Sequence, residues 1–189
     1  MLPATLAPFP PERRPALAGV AGDTGWQWRA LRDDDLPWLV QLYASTREEE
    51  LRSVPWPDAA KRQFLSQQFV AQHQHYLARH PRAHYLAILR EDQPVGRFYV
   101  DEEGEEDLIV DISLLPSSRG TGIGTAVIGC QQQACAGRGR ALRLHVMQHN
   151  HAALRLYQRM GFVATSAAAA AAGELYLPMR WEPTGRPLS

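Results

Sequence analysis

Lysine is almost absent from this chain: Lys61 is the only one, so nineteen of the twenty cations are arginine. A nucleoside-triphosphate loop of the form GxxxxGK[ST] needs a lysine beside its glycines, so that chemistry is excluded. With arginine this dominant, a single arginine is also a weak functional clue. Charge of one sign is not in surplus, since twenty basic residues offset twenty acidic ones. The chain therefore lacks the broad positive field that would hold a nucleic acid or an anionic membrane. Long apolar runs are missing, which argues against a membrane span or an export signal; Arg13-Arg14 is followed by a stretch too short and too broken by glycine to serve as one. Cysteine is scarce: Cys130 and Cys135 lie on one expected helix, about 500° apart at roughly 100° per residue, and are expected to be buried thiols rather than a disulfide. A reducing, cytoplasmic setting follows as the expectation.

What is present fits one domain. The chain has 189 residues, 45% of them hydrophobic and 21% charged, enough to bury a substantial core. Residues 1–24 contain five prolines and are expected to be a flexible, disordered leader; residues 25–183 form the domain and 184–189 a tail. Residues 26–31 suggest a short strand, and Asp33 to Asp35 offer capping oxygens for a helix carrying Leu36, Leu39, Val40 and Tyr43. That helix is expected to fade near Thr46, leaving residues 47–58 as a charged, proline-containing loop with room for one helical turn. Phe64, Leu65, Phe69, Val70, Tyr76 and Leu77 then recur at helical spacing.

Three strand candidates follow, at 85–89, 95–100 and 108–115, joined by turns into an antiparallel meander. On the last of them, strict alternation would put Leu108, Val110, Ile112 and Leu114 on one face and Asp111 and Ser113 on the other. A helix with Ile123, Val127, Cys130 and Ala134 on one face ends near Gly137, and residues 142–146 return as a strand. Asn150 can cap a short helix carrying Ala153, Leu156, Tyr157 and Met160, which stops at Gly161. Strands at 162–165 and 175–181 complete the sheet, with the six alanines at 167–172 between them as a low-complexity loop or stray helical turn.

Between the strand ending at Leu115 and the helix after it lies SSRGTGIG, residues 117–124. Amides at a helix start have no partner within the helix, and the helix dipole adds partial positive charge there, so a phosphate or pyrophosphate is the natural guest. A dinucleotide fingerprint would need glycine at positions 120, 122 and 125, but Thr125 occupies the last; the glycines alternate instead as Gly120, Gly122 and Gly124 behind Arg119. Taken alone, the loop fits either an anion cradle or a glycine-rich helix entry that binds nothing.

The second motif changes the weighing. HNHAALRLYQRMGF, residues 149–162, has the form N-x-x-A-x-x-L-Y-x-x-x-G-F, and paired with RGTGIG across a helix and a strand it resembles the GNAT superfamily of acyl-CoA-dependent N-acetyltransferases. The resemblance covers residues 26–181. It implies an α+β fold: a mixed, mostly antiparallel central sheet flanked by helices, with a parallel, splayed strand pair at the cofactor slot. It also implies acetyl-CoA as co-substrate. Its pyrophosphate would sit on the backbone of Arg119, Gly120, Thr121, Gly122, Ile123, Gly124 and Thr125, and its pantetheine arm would lie against the backbone of Leu114 and Leu115, with Asn150 on the other side. Tyr157 stands where such enzymes place the acid that meets the departing thiolate; by helix spacing alone it would be a core tyrosine.

The general base is open. Positions expected to hold one fall on the apolar face, and Asp111 fits a structural or substrate contact as well as a base. For the acceptor, Arg47, Glu50 and Trp56 form either a groove that holds an ammonium or a solvated turn with one anchoring tryptophan. Residues 73 and 75 would lie about 200° apart on a helix and no cysteine is near, so His73, His75, His80 and His84 do not suggest a metal site. His145, His149 and His151 flank the second motif and are expected at the surface. The function expected is transfer of an acetyl group to a primary amine of a small molecule or peptide by direct attack. A non-catalytic acyl-CoA-binding module of the same fold is the alternative, and a nucleotide-binding protein is disfavoured by the loop spacing. No nucleic-acid or membrane partner is expected, and the protein is expected as a monomer or homodimer.

Overall fold

The computed structural model describes residues 6–13, 15, 25–165 and 175–183. The alanine run at 167–172, the tail at 184–189 and the remainder of the expected leader lie outside the described residues. In chain order the elements are β1 (Gln27–Ala30), α1 (Leu36–Arg52), α2 (Asp58–Arg79), β2 (His84–Arg90), β3 (Gln93–Asp101), β4 (Asp107–Leu114), α3 (Ile123–Gly137), β5 (Leu142–Met147), α4 (His151–Arg159), β6 (Val163–Ala164) and β7 (Tyr176–Trp181). The strands form one sheet in the order β1-β2-β3-β4-β5-β7-β6, antiparallel except for the β4–β5 pair. Among the described residues no helix is long and apolar enough to cross a membrane.

Alternation along the strands builds a core on each face. Leu86 and Ile88 of β2 pack with Ile123, Val127 and Cys135 of α3 and Tyr157 of α4, whereas Tyr85, Ala87 and Leu89 pack with Leu39 and Leu42 of α1 and Phe69 of α2. Leu39, Leu42 and Phe69 are fully buried, each contributing about 1.5–3 kcal/mol of transfer free energy. Both cysteines are buried and neither is in a disulfide.

Three expectations need correction. First, α1 does not fade near Thr46 but continues to Arg52. Ion pairs at i,i+3 spacing, Arg47–Glu50 and Arg52–Glu49, support its last turns, and Pro55 then disfavours helical geometry in the residue before it. Arg47 and Glu50 are therefore helical. Second, residues 6–13 are not a free leader. Phe9 stacks edge-on against His73 with ring centroids 4.9 Å apart and lies 5.7 Å from Tyr85, while its N–H donates to Asp33 Oδ1. His73 donates from Nε2 to the Ala7 carbonyl, and the Arg13 guanidinium donates to the Arg82 carbonyl. Apolar burial of Leu6 and Phe9 on the α1–α2 core holds this proline-rich stretch down.

The third correction matters most for the site. Between the pairs Tyr99–Asp111 and Val100–Ile109 the β3–β4 register shifts, so Val110 is an extra residue, a β-bulge. A bulge breaks the alternation: Val110 packs on the α1–α2 side, and Ile109 joins Ile112 and Leu114 on the α3–α4 side. The expected grouping of Leu108 and Val110 with Ile112 does not hold.

At the start of the parallel seam Asp107 is fully buried. It is ion-paired with Arg138 and, at 2.8 Å, with Arg140 beyond the end of α3, and it accepts from Gln131 at 2.7 Å. This cluster ties the C-terminal end of α3 to β4. Removing the charge from a buried pair is costly, and the partial exposure of both arginines puts the cost at the low end. Asp107→Asn is expected to lower the unfolding free energy by about 2 kcal/mol, read as a shift of the urea midpoint at unchanged slope.

Candidate active site

β4 and β5 pair at only three positions, Asp107–Leu142, Leu108–Arg143 and Ile109–Leu144. Beyond these the strands part, just where the Val110 bulge bends β4. The main chain exposed in the gap can be assigned. Leu115 donates its N–H to the Val95 carbonyl at 2.9 Å, so Leu114 and Gly96 form a non-hydrogen-bonded pair. The N–H and C=O of Leu114, and of Ile112 two residues back, therefore turn away from β3 into the gap. Leu115 was expected to offer its backbone there as well. Both of its groups are engaged, the N–H by Val95 and the carbonyl by the Ser118 amide. Ile112 was missed by the sequence reading, although parity counted from the loop would have found it.

The glycine loop closes one end of the gap. A 3-10 turn at Pro116–Ser118 leads to Gly120 and Gly122, at φ 73° and 88°, left-handed values that side chains resist. A Cβ added at either glycine would meet nothing within 4 Å, so glycine is needed here for its backbone angle and the loop's outer surface stays bare. Gly122 is the N-cap of α3, and its carbonyl accepts first from Ala126, so the amides of residues 123–125 precede the helical ladder. Thr121 Oγ1 donates to the Ser118 carbonyl. Arg119 folds back, donating from Nε to the Leu114 carbonyl at 2.9 Å and from Nη2 to the Ser45 carbonyl of α1 at 3.3 Å. Ile123 is buried, so its amide alone is available to a ligand. The amides, the helix dipole and the uncovered surface together fit a diphosphate.

α4 forms the other wall. Asn150 caps it, accepting from the Ala153 amide at 3.1 Å through Oδ1, which leaves its side-chain amide nitrogen without a partner among the described residues. The start of α3 meets both walls at once: a Cβ on Gly124 would lie 3.7 Å from Leu114 Cδ1 and 3.9 Å from Leu156 Cδ2. Tyr157 is buried beside Phe162, ring centroids 5.8 Å apart. Its hydroxyl has no hydrogen-bond partner among the described residues. Burial, with the Asp111 charge as a smaller cause, pushes its pKa up to about 12.

The α1–α2 face of the gap carries a second polar group. Asp111 accepts two hydrogen bonds at 2.9 Å from fully buried Arg97, and also from Ser113 Oγ at 2.9 Å and Tyr76 Oη at 3.2 Å. Gln72 accepts from the same guanidinium at 2.7 Å. Asp111 is thus the anion of an internal pair. Arg97 and Tyr76 were not singled out in the sequence; the signal was an arginine inside the strand segment GRFYV, where a cation has to be paired. Nearby, Arg47 bridges to Glu50 at 2.7 Å, lies over the Tyr43 ring and reaches Met147 Sδ on β5 at 3.9 Å. Trp56, after α1, is exposed and packs edge-on against Phe64.

The histidines have other partners. His80 pairs with Asp101, and His84 contacts the Arg13 carbonyl and Glu102. Among the described residues no cluster of three or more histidine, cysteine, aspartate or glutamate side chains could hold a metal ion.

Comparison with known proteins gives the family and the fold. The model of the Acetyltransferase (GNAT) family matches residues 26–162. YycN of Bacillus subtilis (strain 168), named as an uncharacterized N-acetyltransferase, is 32% identical over 137 residues, 69% of this chain and 85% of its own length. Among solved structures, the PaiA N-acetyltransferase of Thermoplasma acidophilum in complex with coenzyme A superposes with a TM-score of 0.61 at 13% identity, covering 83% of this chain and 98% of that one. RimL, a ribosomal L7/L12 alpha-N-protein acetyltransferase in complex with coenzyme A, gives 0.62 at 18%, covering 85% and 96%.

The buried phenols make a pH prediction. Tyr157 and Tyr99 are both raised to about 12, and Tyr76 and Tyr85 are raised as well, each chiefly by burial. An unfolded tyrosine ionises near 10, so above that pH the unfolded chain holds fewer protons than the folded one and stability falls as pH rises. Urea midpoints are expected to decline from about pH 10 upward, less steeply in Tyr157→Phe than in the wild type.

Proposed function

This chain belongs to the GNAT acetyltransferase family, and we propose that it moves the acetyl group of acetyl-CoA to a primary amine of a small molecule or peptide by direct attack. What supports this is the parting of β4 and β5 beside the open amides at the α3 start, with Tyr157 of α4 buried in the core that backs the gap. Acetyl-CoA supplies an activated thioester.

Backbone amides from Arg119 to Thr125 receive its diphosphate, and the bare surface over Gly120 and Gly122 lets it approach. The free edge of β4, through Ile112 and the Leu114 N–H, receives the amide-bearing arm as an added strand. Asn150 offers its side-chain amide from the other wall while its oxygen caps α4. Arg47 and Glu50 on the last turns of α1, with the exposed Trp56, form the rim that meets the acceptor. Asp111 shapes the floor of that rim, since its carboxylate is already committed to Arg97. The neighbours named as N-acetyltransferases support an amine acceptor, and the two free thiols support a cytoplasmic setting.

Tyr157 stays protonated at neutral pH because burial holds its pKa near about 12. A thiol ionises near 8.5, well below the raised phenol, so complete proton transfer from the phenol to the thiolate is uphill. Tyr157 contributes instead a hydrogen bond that strengthens as negative charge gathers on the departing sulfur.

Calorimetry with CoA and a thiol-release assay over a panel of amines test the proposal. CoA is expected to bind one per chain, and Tyr157→Phe is expected to keep that affinity while lowering kcat about 100-fold. Absence of binding heat, or equal turnover by the two proteins, would overturn it.

A further inference from the structure

We infer that Arg47 holds a carboxylate of the acceptor, so that the amine this chain acetylates is a small molecule of the amino-acid type; this rests on the function proposed above.

Arg47 spans the gap. Leu39, Leu42 and Tyr43 of α1 share a core with Val110 of β4 and with Leu115 just after it, so α1 lies over the bulged strand. One turn beyond Tyr43, the Arg47 guanidinium lies over that ring at 5.7 Å and reaches Met147 Sδ, at the end of β5, at 3.9 Å. The cation therefore crosses from the β4 side to the β5 side, where the two strands no longer pair. Leu142, Leu144 and Val146 are buried in the α3–α4 core, so Met147 projects to the opposite face. Tyr157 belongs to that core, which leaves the side of Arg47 to the acceptor.

The partners of Arg47 leave it half satisfied. Its side chain is 22% exposed, whereas that of Glu50 is 50% exposed, and an i,i+3 pair with a solvated member contributes little. Glu50 meets Nη1 alone, at 2.7 Å, and the thioether beside the same nitrogen is a weak acceptor. No carboxylate among the described residues bonds the Nε–Nη2 edge. That edge matches the two oxygens of a carboxylate.

The opposite arrangement, a free carboxylate to hold an ammonium, is not found on this side among the described residues. Asp111 accepts from Arg97, Tyr76 and Ser113 at once, Glu49 is bridged to Arg52, and Glu106 is shared by Arg143 and Arg180. Glu48 lies about 140° around α1 from Tyr43 and is exposed to solvent. The other nearby cations are engaged: Arg97 is buried with Asp111, and Arg119 donates to the Leu114 and Ser45 carbonyls. Chemistry favours the same choice. An amine sheds a proton before it attacks, and a carboxylate against it would stabilise the charged, unreactive form. A grip on the acceptor's other end avoids that.

The test is the ratio of kcat/KM for an amino acid to kcat/KM for its carboxamide, over a panel of such pairs with diamines alongside, in wild type, Arg47→Met and Arg47→Lys. The amine pKa differs within a pair but is common to the three proteins, so it cancels when their ratios are compared. Arg47→Met is expected to lower the ratio about 10- to 100-fold, as the loss of charged hydrogen bonds does, and Arg47→Lys to recover part of it. Retained heat of CoA binding in both variants shows that the fold and the cofactor slot are intact. Wild type is expected to acetylate carboxylate-bearing amines ahead of diamines, which offer Arg47 only a second positive charge. An unchanged ratio in Arg47→Met, whether or not both rates fall, overturns the assignment to Arg47, and so does a preference of the wild type for diamines; either result leaves the acetyltransferase reading standing. Heat of CoA binding without acetylation of any carboxylate-bearing amine also overturns this inference. Wild-type protein that gives no CoA heat and no acetylation overturns both.

Discussion

The site depends on β4 leaving β5 after three residue pairs. A strand that abandons its neighbour exposes main-chain donors and acceptors, which would otherwise favour closing the sheet or pairing with a foreign edge. Two polar clusters keep the arrangement open. At the closed end of the seam, Asp107 with Arg138 and Arg140 fixes one end of α3 against the strand. At the open end, the buried Arg97–Asp111 pair, extended by Tyr76 and Gln72, fastens the free arm of β4 to β3 and α2. Swinging that arm back toward β5 would break a charge pair that has lost its water, and the cost exceeds that of breaking an exposed pair.

The same division explains what was legible in the sequence. The glycine loop and the Asn150-to-Phe162 motif are local: each is written in consecutive residues whose backbone requirements do not depend on the rest of the chain. In the fold they meet at Gly124, where an added Cβ would lie within 4 Å of both Leu114 and Leu156. The Val110 bulge was not legible, because one inserted residue leaves the apolar composition of the segment unchanged while moving every later side chain to the other face. Of the two backbone residues expected at the slot, Leu114 faces it and Leu115 does not, for a related reason: strand polarity depends on which residue bonds to β3, a property of the pair. The end of α1 was misjudged because REEELR looks like a solvated loop by composition, while the stabilising pairs at i,i+3 appear only once the helix exists. The segment at 6–13 looked free because its apolar residues find their surface about sixty positions away.

Two titratable groups on opposite faces of one sheet acquire their properties from different surroundings. Tyr157 lies in the α3–α4 core, where lost solvation disfavours the phenolate, and the Asp111 charge adds to the effect. His145 sits at the exposed mouth, where partial desolvation and Arg143 disfavour the imidazolium. One group is kept as a donor and the other as an acceptor at the same pH.

The pairing of Asp111 with Arg97 sets the charge that the bent arm of β4 presents. An uncompensated carboxylate on the bent arm of β4 would place a buried negative charge against the gap. With the guanidinium bound to both oxygens, the arm presents a nearly neutral dipole instead of a charge. The cost is a buried ion pair that contributes little net stability, and a sequence selected for stability alone could replace it with apolar side chains. Retaining a charged pair at this position is consistent with a requirement on the gap: the free arm of β4 has to stay fastened to β3 and α2 for the gap to stay open.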